Sequence, residues 1–264
     1  MESNLKRIKE GQKLWTRDEL ILAVKLYCKL PFGKLDKNTK EAKTLAVLLD
    51  RKSNSVALKP VNFSSLDPSL QASGIKGMGN ASKLDKQVWD EFYDNWDTAL
   101  IESEEMLARA THTTTERMND AEEVDLLQDG KEKERLIKVR LNQNIFRKII
   151  LAIYNNACSI TGIDTTELLV ASHIVPWSKD ERNRLNPMKG LWPNALHDKA
   201  FDVGLIKIAA DNYCLHISPG LKRKNSPAYI NQCFLQIDGQ QIKLPDKFLP
   251  SKKFLKQHND CFKI

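Results

Sequence analysis

Two short segments of the chain carry residue types suited to acid–base and metal chemistry. His173 lies in an apolar, β-prone run, and a glycine-containing run then leads to a short helix predicted over 195–203. On that helix Asp198 and Asp202 are four residues apart and therefore share one face. Two carboxylates directed at one point repel each other unless a cation lies between them, and their hard oxygens suit Mg²⁺ or Mn²⁺. The pattern predicts one divalent metal ion near a histidine.

A histidine near a divalent metal would meet the two requirements of phosphodiester hydrolysis, which are a base for water and a cation for the developing charge. His197 is a further candidate metal ligand, although it lies about 100° around the helix from Asp198. Each residue taken alone has a simpler interpretation: a buried core histidine for His173, a helix-N-terminal charge for Asp198 and a salt bridge for Asp202. Their combination favours the metal site.

The positive charge of the chain is concentrated in its second half. The net charge is +7, but residues 1–130 contain 19 Lys and Arg against 22 Asp and Glu, whereas residues 131–264 contain 22 against 12. A basic surface attracts a phosphate backbone through counterion release and electrostatic steering. The charge distribution therefore modestly favours a nucleic acid as partner, and an ordinary solvated basic face is the common alternative.

Cysteine spacing and hydropathy indicate the broad class of the protein. The five cysteines are scattered without a CxxC pair, which argues against a disulfide framework and against a zinc ribbon. No stretch approaches the length of an apolar membrane span, and no apolar signal region opens the chain. We expect a soluble cytoplasmic protein without a membrane partner. The oligomeric state is left open, with a homodimer as one alternative.

The segment 1–101 is predicted to form a helical module. Thr16 and Glu19 have the spacing of a capping box at the start of a helix over 14–31. Later in the module, four aromatic side chains recur at helical spacing and are expected in the core rather than on a stacking surface. They are Trp89, Phe92, Tyr93 and Trp96.

Part of this module has the pattern of a helix-turn-helix. A helix over 40–49 is followed by a polar turn, and a further helix is expected to begin at Ser55. Such a unit would contact DNA, and a plain helical packing unit is the alternative. Pro60 is expected to kink the second of these helices after one turn. Residues 64–83, rich in Ser, Gly, Pro and Asn, are interpreted as a loop.

The rest of the chain is predicted to be a polar connection followed by a mixed domain, which makes the fold class α+β. Residues 102–134 alternate in charge and are interpreted as a helical or flexible connecting segment, and the domain over 135–264 begins with a long helix. The runs expected as strands are 167–176, 189–193, 205–209, 213–217, 233–237 and 240–244, the last two as a hairpin around Asp238 and Gly239.

Several separated motifs within residues 135–264 resemble those of HNH endonucleases and occur in the same order. They are the runs 140–147 and 158–162, His173, and the runs 190–191 and 201–204. The chain is most similar to the branch of that family found in bacterial restriction and genome-defence proteins. Its amino-terminal part is similar to the segment that often precedes such nuclease domains.

This resemblance implies a C-terminal ββα-metal nuclease domain with additional β-hairpins, one Mg²⁺ or Mn²⁺ ion, and cleavage of DNA. His173 matches the general base of the family. Asp198 lies at the third motif position, and Asp202 lies where some relatives have a further metal ligand one helical turn on. The basic residues expected to bind DNA are Arg140, Arg147, Lys148, Arg184 and Lys199.

Two positions depart from the family pattern. Lys189 replaces the asparagine that braces the loop behind the histidine by hydrogen bonds in both directions, and a lysine side chain has no acceptor. Its cation would also compete with the metal for the same carboxylates. Ser172 stands where many relatives have a metal-binding aspartate. We therefore expect slow or absent cleavage, which Lys189→Asn would increase.

Two alternatives to an active enzyme follow from these departures. One is a DNA-binding protein on a nuclease scaffold without turnover, and the other is a nuclease subunit of a larger defence complex. If the loop has a different brace, Asn186 and Asn194 are the nearest candidates.

Overall fold

The computed structural model describes residues 13–72, 74, 79–121, 130–180, 183–223 and 227–262. This part of the chain is mostly helical with two small antiparallel hairpins, so the fold is α+β. None of the helices in these ranges combines the length and the apolar composition that a membrane span requires. The helices and strands are α1 (Arg17–Lys29), α2 (Lys40–Leu48), α3 (Ser53–Ser64), α4 (Pro68–Ala72), α5 (Lys83–Asp94), α6 (Trp96–Ala110), α7 (Thr115–Met118), α8 (Lys131–Ile153), β1 (Ser172–His173), β2 (Gly190–Leu191), α9 (Ala195–Asp202), β3 (Ile206–Ile208), β4 (Leu215–Ile217), α10 (Ala228–Cys233) and α11 (Lys252–Cys261).

Helix α1 has the predicted cap but is shorter than the predicted 14–31, and it lies at the centre of the helical half. The Thr16 hydroxyl accepts from the backbone N–H of Glu19, and the Glu19 carboxylate accepts from the backbone N–H of Thr16, so the capping box is confirmed. Every residue from Leu20 to Cys28 is buried. A helix that is buried on all sides must be surrounded by others, and α3, α5, α6 and α8 pack against it.

Helices α2 and α3 are joined by a polar turn, but α3 differs from the prediction. It begins at Ser53, two residues earlier than expected, and it continues through Pro60 to Ser64. The helix persists because Val56 and Phe63, on either side of the proline, are fully buried, and their burial offsets the backbone hydrogen bond that proline cannot make. DNA contact by this helix pair stays a prediction.

One hydrophobic core joins the two halves of the chain. Trp89, Phe92 and Trp96 are buried in it, with Tyr93 packed partly buried against it, so the predicted role of these aromatic residues is confirmed. The same core contains Ile149 and Phe146 from α8, together with Trp192 and Phe248 from the C-terminal half. Helix α6 continues through position 101, where the first predicted segment ends. The division into 1–101, 102–134 and 135–264 remains a prediction, and part of the connecting segment, 122–129, lies outside the described residues.

The C-terminal half contains the predicted order of strand, strand and helix, but with shorter strands. Strands β1 and β2 have two residues each and pair antiparallel, and α9 follows them directly. Strands β3 and β4 form the second antiparallel hairpin. A second core beneath these elements includes Ile174, Phe201 and Leu255, so α11 packs against both α9 and the hairpins.

The hairpin predicted around Asp238 and Gly239 is wrong. A 3-10 turn over Leu235–Ile237 follows α10, and beyond the glycine the chain lies beside β4, where Leu215 donates to the carbonyl of Gln240. Asp238 explains the difference, because its carboxylate accepts from the backbone N–H of Ile217 in β4. The Asp-Gly turn therefore joins a helix to a sheet edge instead of joining two strands.

Candidate active site

A short hairpin and the start of α9 position the predicted site residues. In the β1–β2 register His173 lies opposite Gly190, and the backbone N–H of Ile174 donates to the carbonyl of Lys189 at 2.9 Å. Position 190 requires glycine for steric reasons, because a Cβ there would overlap the side chain of Ile150 in α8. Helix α9 is capped by Asn194, whose side-chain oxygen accepts from the backbone N–H of His197 at 2.9 Å. The hairpin thus fits tightly on α8.

The ring of His173 is held on three sides. It stacks on Phe146 with ring centroids 3.8 Å apart, and Trp177 meets it edge-on at 5.1 Å. Its Nε2 lies 2.9 Å from the backbone carbonyl oxygen of Arg184. Because a carbonyl can only accept, Nε2 carries the hydrogen and Nδ1 keeps the lone pair. Burial lowers the pKa of His173 to about 4, with a further contribution from the nearby Lys189, so the ring is neutral at neutral pH.

A carboxylate from the helical half supports the loop that holds His173. Asp97, in the first turn of α6, accepts from the backbone N–H of Arg184 at 3.1 Å and from that of Leu185 at 2.7 Å. Asp97 is a site residue that was not predicted from the sequence. Asp97 stands just after the helix cap Asn95, where an acidic residue usually has only a local electrostatic role, and no pattern links it to a partner almost ninety residues away.

Lys189 and Asn186 lie on the same loop and are both buried. The ammonium of Lys189 lies 3.3 Å from a carboxylate oxygen of Asp180 and donates to the backbone carbonyl of the same residue at 3.3 Å. Burial lowers the pKa of Lys189, and Asp180 opposes that shift. The partner is thus Asp180, whereas the sequence led us to expect the carboxylates of α9. The Asn186 side chain accepts from the backbone N–H of Met188 at 3.0 Å, a local contact within the loop, and its role as the brace behind His173 stays a prediction.

His197 is buried, and both of its ring nitrogens contact protein atoms. Nδ1 lies 3.1 Å from the amide nitrogen of Asn194, and Nε2 lies 2.9 Å from the carbonyl oxygen of Cys233. The ring also affects the thiol of Cys158. Burial raises the pKa of this thiol, but hydrogen bonds from His197, Thr161 and Ile160 have the larger combined effect, and they lower the pKa to about 6. These contacts fit a structural role for His197 at the base of α9 and do not fit a metal ligand.

Asp198 and Asp202 lie one turn apart on α9, as predicted. Partial burial and the nearby Asp198 both raise the pKa of Asp202. In the ranges that the structure describes, no group of three or more His, Cys, Asp or Glu side chains is arranged to hold a metal ion. A magnesium ion commonly binds through one or two carboxylates and keeps several waters. The aspartate pair has the oxygen donors that fit such an ion, whereas the described part of the chain forms no site made only of protein ligands.

His173 and Asp202 line one small cleft of about 50 Å³, bordered by α11. Gln257 and Cys261 of that helix also line a neighbouring depression of about 660 Å³, whose basic side chains are Lys252, Lys253 and Lys256. Helix α11 is fixed beside the cleft because the ring of His258 stacks on Phe201 at 3.8 Å. The sequence analysis did not predict this helix, although the spacing of Phe254, Leu255 and His258 is the signal that indicates it.

The predicted DNA-binding residues have different surroundings. Arg147 donates to the backbone carbonyls of Leu169 and Thr166 at 3.0 Å each, and Lys148 donates to that of Met118. The Arg184 guanidinium lies over the ring of Trp177, 5.0 Å from its centroid. Arg140 and Lys199 are exposed. A DNA contact by any of these five residues stays a prediction.

Comparison with known proteins identifies one segment. Residues 158–209 match a protein-family model described as HNH endonuclease. The match begins at Cys158, ends one residue after β3, and includes β1, β2 and α9 with His173, Lys189 and both aspartates. The chain has no significant match among curated proteins.

Proposed function

Because residues 158–209 belong to the HNH endonuclease family, we propose that this chain is a metal-dependent endonuclease that hydrolyses phosphodiester bonds in double-stranded DNA. The observation that carries the proposal is the state of His173. The Nε2–H of its ring donates to the Arg184 carbonyl, and the neutral ring keeps a lone pair on Nδ1. The ring lines the same cleft as Asp202. This is the form that a general base requires.

In the proposed reaction, Nδ1 of His173 takes a proton from the water that attacks phosphorus. The new P–O bond forms as the bond to the leaving deoxyribose oxygen breaks, and that oxygen takes a proton from solvent water to leave as a hydroxyl group. The hydrogen bond from Nε2 to the Arg184 carbonyl becomes stronger as the ring gains positive charge, because a charged donor is the better donor. Stacking on Phe146 keeps the ring in one orientation throughout.

Asp198 and Asp202 are the residues that would hold one Mg²⁺ or Mn²⁺ ion. When bound, such an ion supplies Lewis-acid stabilisation of the charge that develops on the phosphate oxygens. Because burial lowers the pKa of His173, the ring is a weak base, and a cation that lowers the pKa of the attacking water would assist it.

The basic face of α11 is the proposed contact surface for the DNA backbone. Lys253 and Lys256 are exposed there, and Lys179 is exposed in the loop after His173. The depression that these helix residues line shares Gln257 and Cys261 with the cleft, so a backbone lying across the lysines would reach His173. Phosphate contacts of this kind contribute affinity without reading sequence.

The resemblance to restriction and genome-defence proteins supports a role in the destruction of foreign DNA. A DNA-binding protein without turnover is kept as a second candidate because of one observation, the buried lysine at the position of the family asparagine. A subunit that is active only in a larger complex is the third.

Cleavage of a supercoiled plasmid separates these candidates. The chain is incubated with plasmid in Mg²⁺, in Mn²⁺ and in excess EDTA, and nicked, linear and retarded DNA are resolved on one gel. Metal-dependent nicking that EDTA stops supports the enzyme. Intact but retarded plasmid supports the binding protein, and intact, unretarded plasmid contradicts both and favours the subunit.

A further inference from the structure

We propose that Asp97, in the helical half and outside the family-matched segment, is a positioning residue for His173. It holds the backbone of Arg184 and Leu185 so that the Arg184 carbonyl stays on Nε2 of the histidine. The inference rests on the proposed function, in which His173 acts as the base, and it gives the helical half a part in that reaction.

The geometry of the contact is that of a bidentate clamp. The two carboxylate oxygens of Asp97 accept from two successive backbone N–H groups, one oxygen for each, at 3.1 and 2.7 Å. The carbonyl that receives the His173 hydrogen belongs to Arg184, the same residue whose N–H is clamped. Only one residue therefore separates the clamp from the catalytic ring.

Asp97 is itself fixed by the start of α6. Its neighbour Trp96 is buried in the shared core and meets Phe248 and Phe92 edge-on, with ring centroids 5.2 and 6.1 Å away. Asn95 caps the helix by accepting from the backbone N–H of Thr98. A carboxylate that extends from such an anchored turn can fix a loop, whereas one on a mobile segment would move with it.

The clamp requires a group that only accepts hydrogen bonds. Burial raises the pKa of Asp97, but the two N–H groups and the nearby Lys189 favour its ionised form, which presents two acceptor oxygens. An asparagine of the same shape has one acceptor, and its amide NH₂ would face the second N–H. Replacement by Asn should thus loosen the loop while leaving the volume of the side chain unchanged.

The first test compares Asp97→Asn with Asp94→Asn in the full chain. Asp94 is exposed at the end of α5 and provides the same chemical change three residues away. In single-turnover and steady-state cleavage, Asp97→Asn should lower kcat by about 10- to 100-fold, since a displacement of about 1 Å can cost that much. KM should remain unchanged because the lysines of α11 are not affected. A kcat within about twofold of the parent would overturn the proposal.

The second test does not require cleavage. The ¹⁵N chemical shifts of the His173 ring, assigned with a His173→Gln variant, report which nitrogen carries the hydrogen at about pH 8, where the ring is neutral. The parent should show the Nε2–H tautomer, and Asp97→Asn should show a mixture of the two. An Nδ1–H tautomer in the parent overturns the proposal even if the variant does not fold. A parent that fails to cut DNA but shows these shifts contradicts the proposed function and leaves the role of Asp97 supported.

Discussion

His173 and His197 lie within one short stretch of hairpin and helix, yet their surroundings differ. His197 contacts Asn194 and Cys233 through its two ring nitrogens, so both nitrogens take part in holding the fold. Among the described residues, His173 makes a hydrogen bond only through Nε2, which leaves the lone pair of Nδ1 for a proton. The two histidines therefore differ in how many of their ring nitrogens make hydrogen bonds to the protein. This number, more than the burial of the ring, distinguishes the candidate base from the structural residue.

The largest effect is expected from removal of the base. His173→Ala should lower cleavage by about 10²- to 10⁴-fold, the usual contribution of a general base, while the dissociation constant for DNA stays within about threefold. Cleavage is followed on supercoiled plasmid, and DNA binding by fluorescence anisotropy in EDTA. His216→Ala, at an exposed position of β4, is the matched control. Near-parental cleavage by His173→Ala would remove the distinction between the two histidines.

The next effect concerns the carboxylates of α9. Asp198→Asn on the His173→Ala background should weaken Mn²⁺ binding at least about tenfold in calorimetry, because a charged oxygen ligand is replaced by a neutral amide. Asp164→Asn, at an exposed position before β1, should leave Mn²⁺ binding unchanged. Unchanged Mn²⁺ binding in Asp198→Asn would contradict the assignment of Asp198 as a ligand and would favour His197 instead.

A smaller effect, and of another kind, is expected at His197. His197→Gln should lower the free energy of unfolding by about 1–3 kcal/mol, since buried hydrogen-bonding groups lose their partners. The folded variant should retain metal binding and most of its cleavage. Urea denaturation measures the first quantity and the plasmid assay the second, with His216→Gln as control. Loss of metal binding at unchanged stability would show that His197 is a ligand after all.

The smallest effect on cleavage is expected at Lys189, in contrast to the increase for Lys189→Asn that the sequence predicts. Because Asp97 and Asn186 already hold the loop, Lys189→Asn should leave cleavage within about threefold of the parent. The loss of the buried pair with Asp180 should lower the free energy of unfolding by about 1–3 kcal/mol. A side-by-side plasmid time course decides. A rise of tenfold or more would show that Lys189 impairs the base.

The order of elements around the site could be predicted from the sequence because local patterns determine it. The α1 capping box, the aromatic stripe of α5 and the run of strand, strand and helix all depend on residues a few positions apart. Which side chains complete the site could not be predicted in the same way. Asp97 reaches Arg184 across 87 residues, and Lys189 meets Asp180 only after the loop folds back. These contacts arise from tertiary packing, for which a single sequence gives no period or motif.

The stacking of His173 on Phe146 has a consequence for engineering. Phe146 belongs both to the ring stack and to the core that joins the helical half to the rest of the chain. A chimera that transplants only the family-matched residues 158–209 onto another scaffold would leave behind Phe146 and Asp97, and with them the orientation of the histidine. A chimera that is to keep the orientation of His173 should therefore also carry α6 with Asp97 and α8 with Phe146.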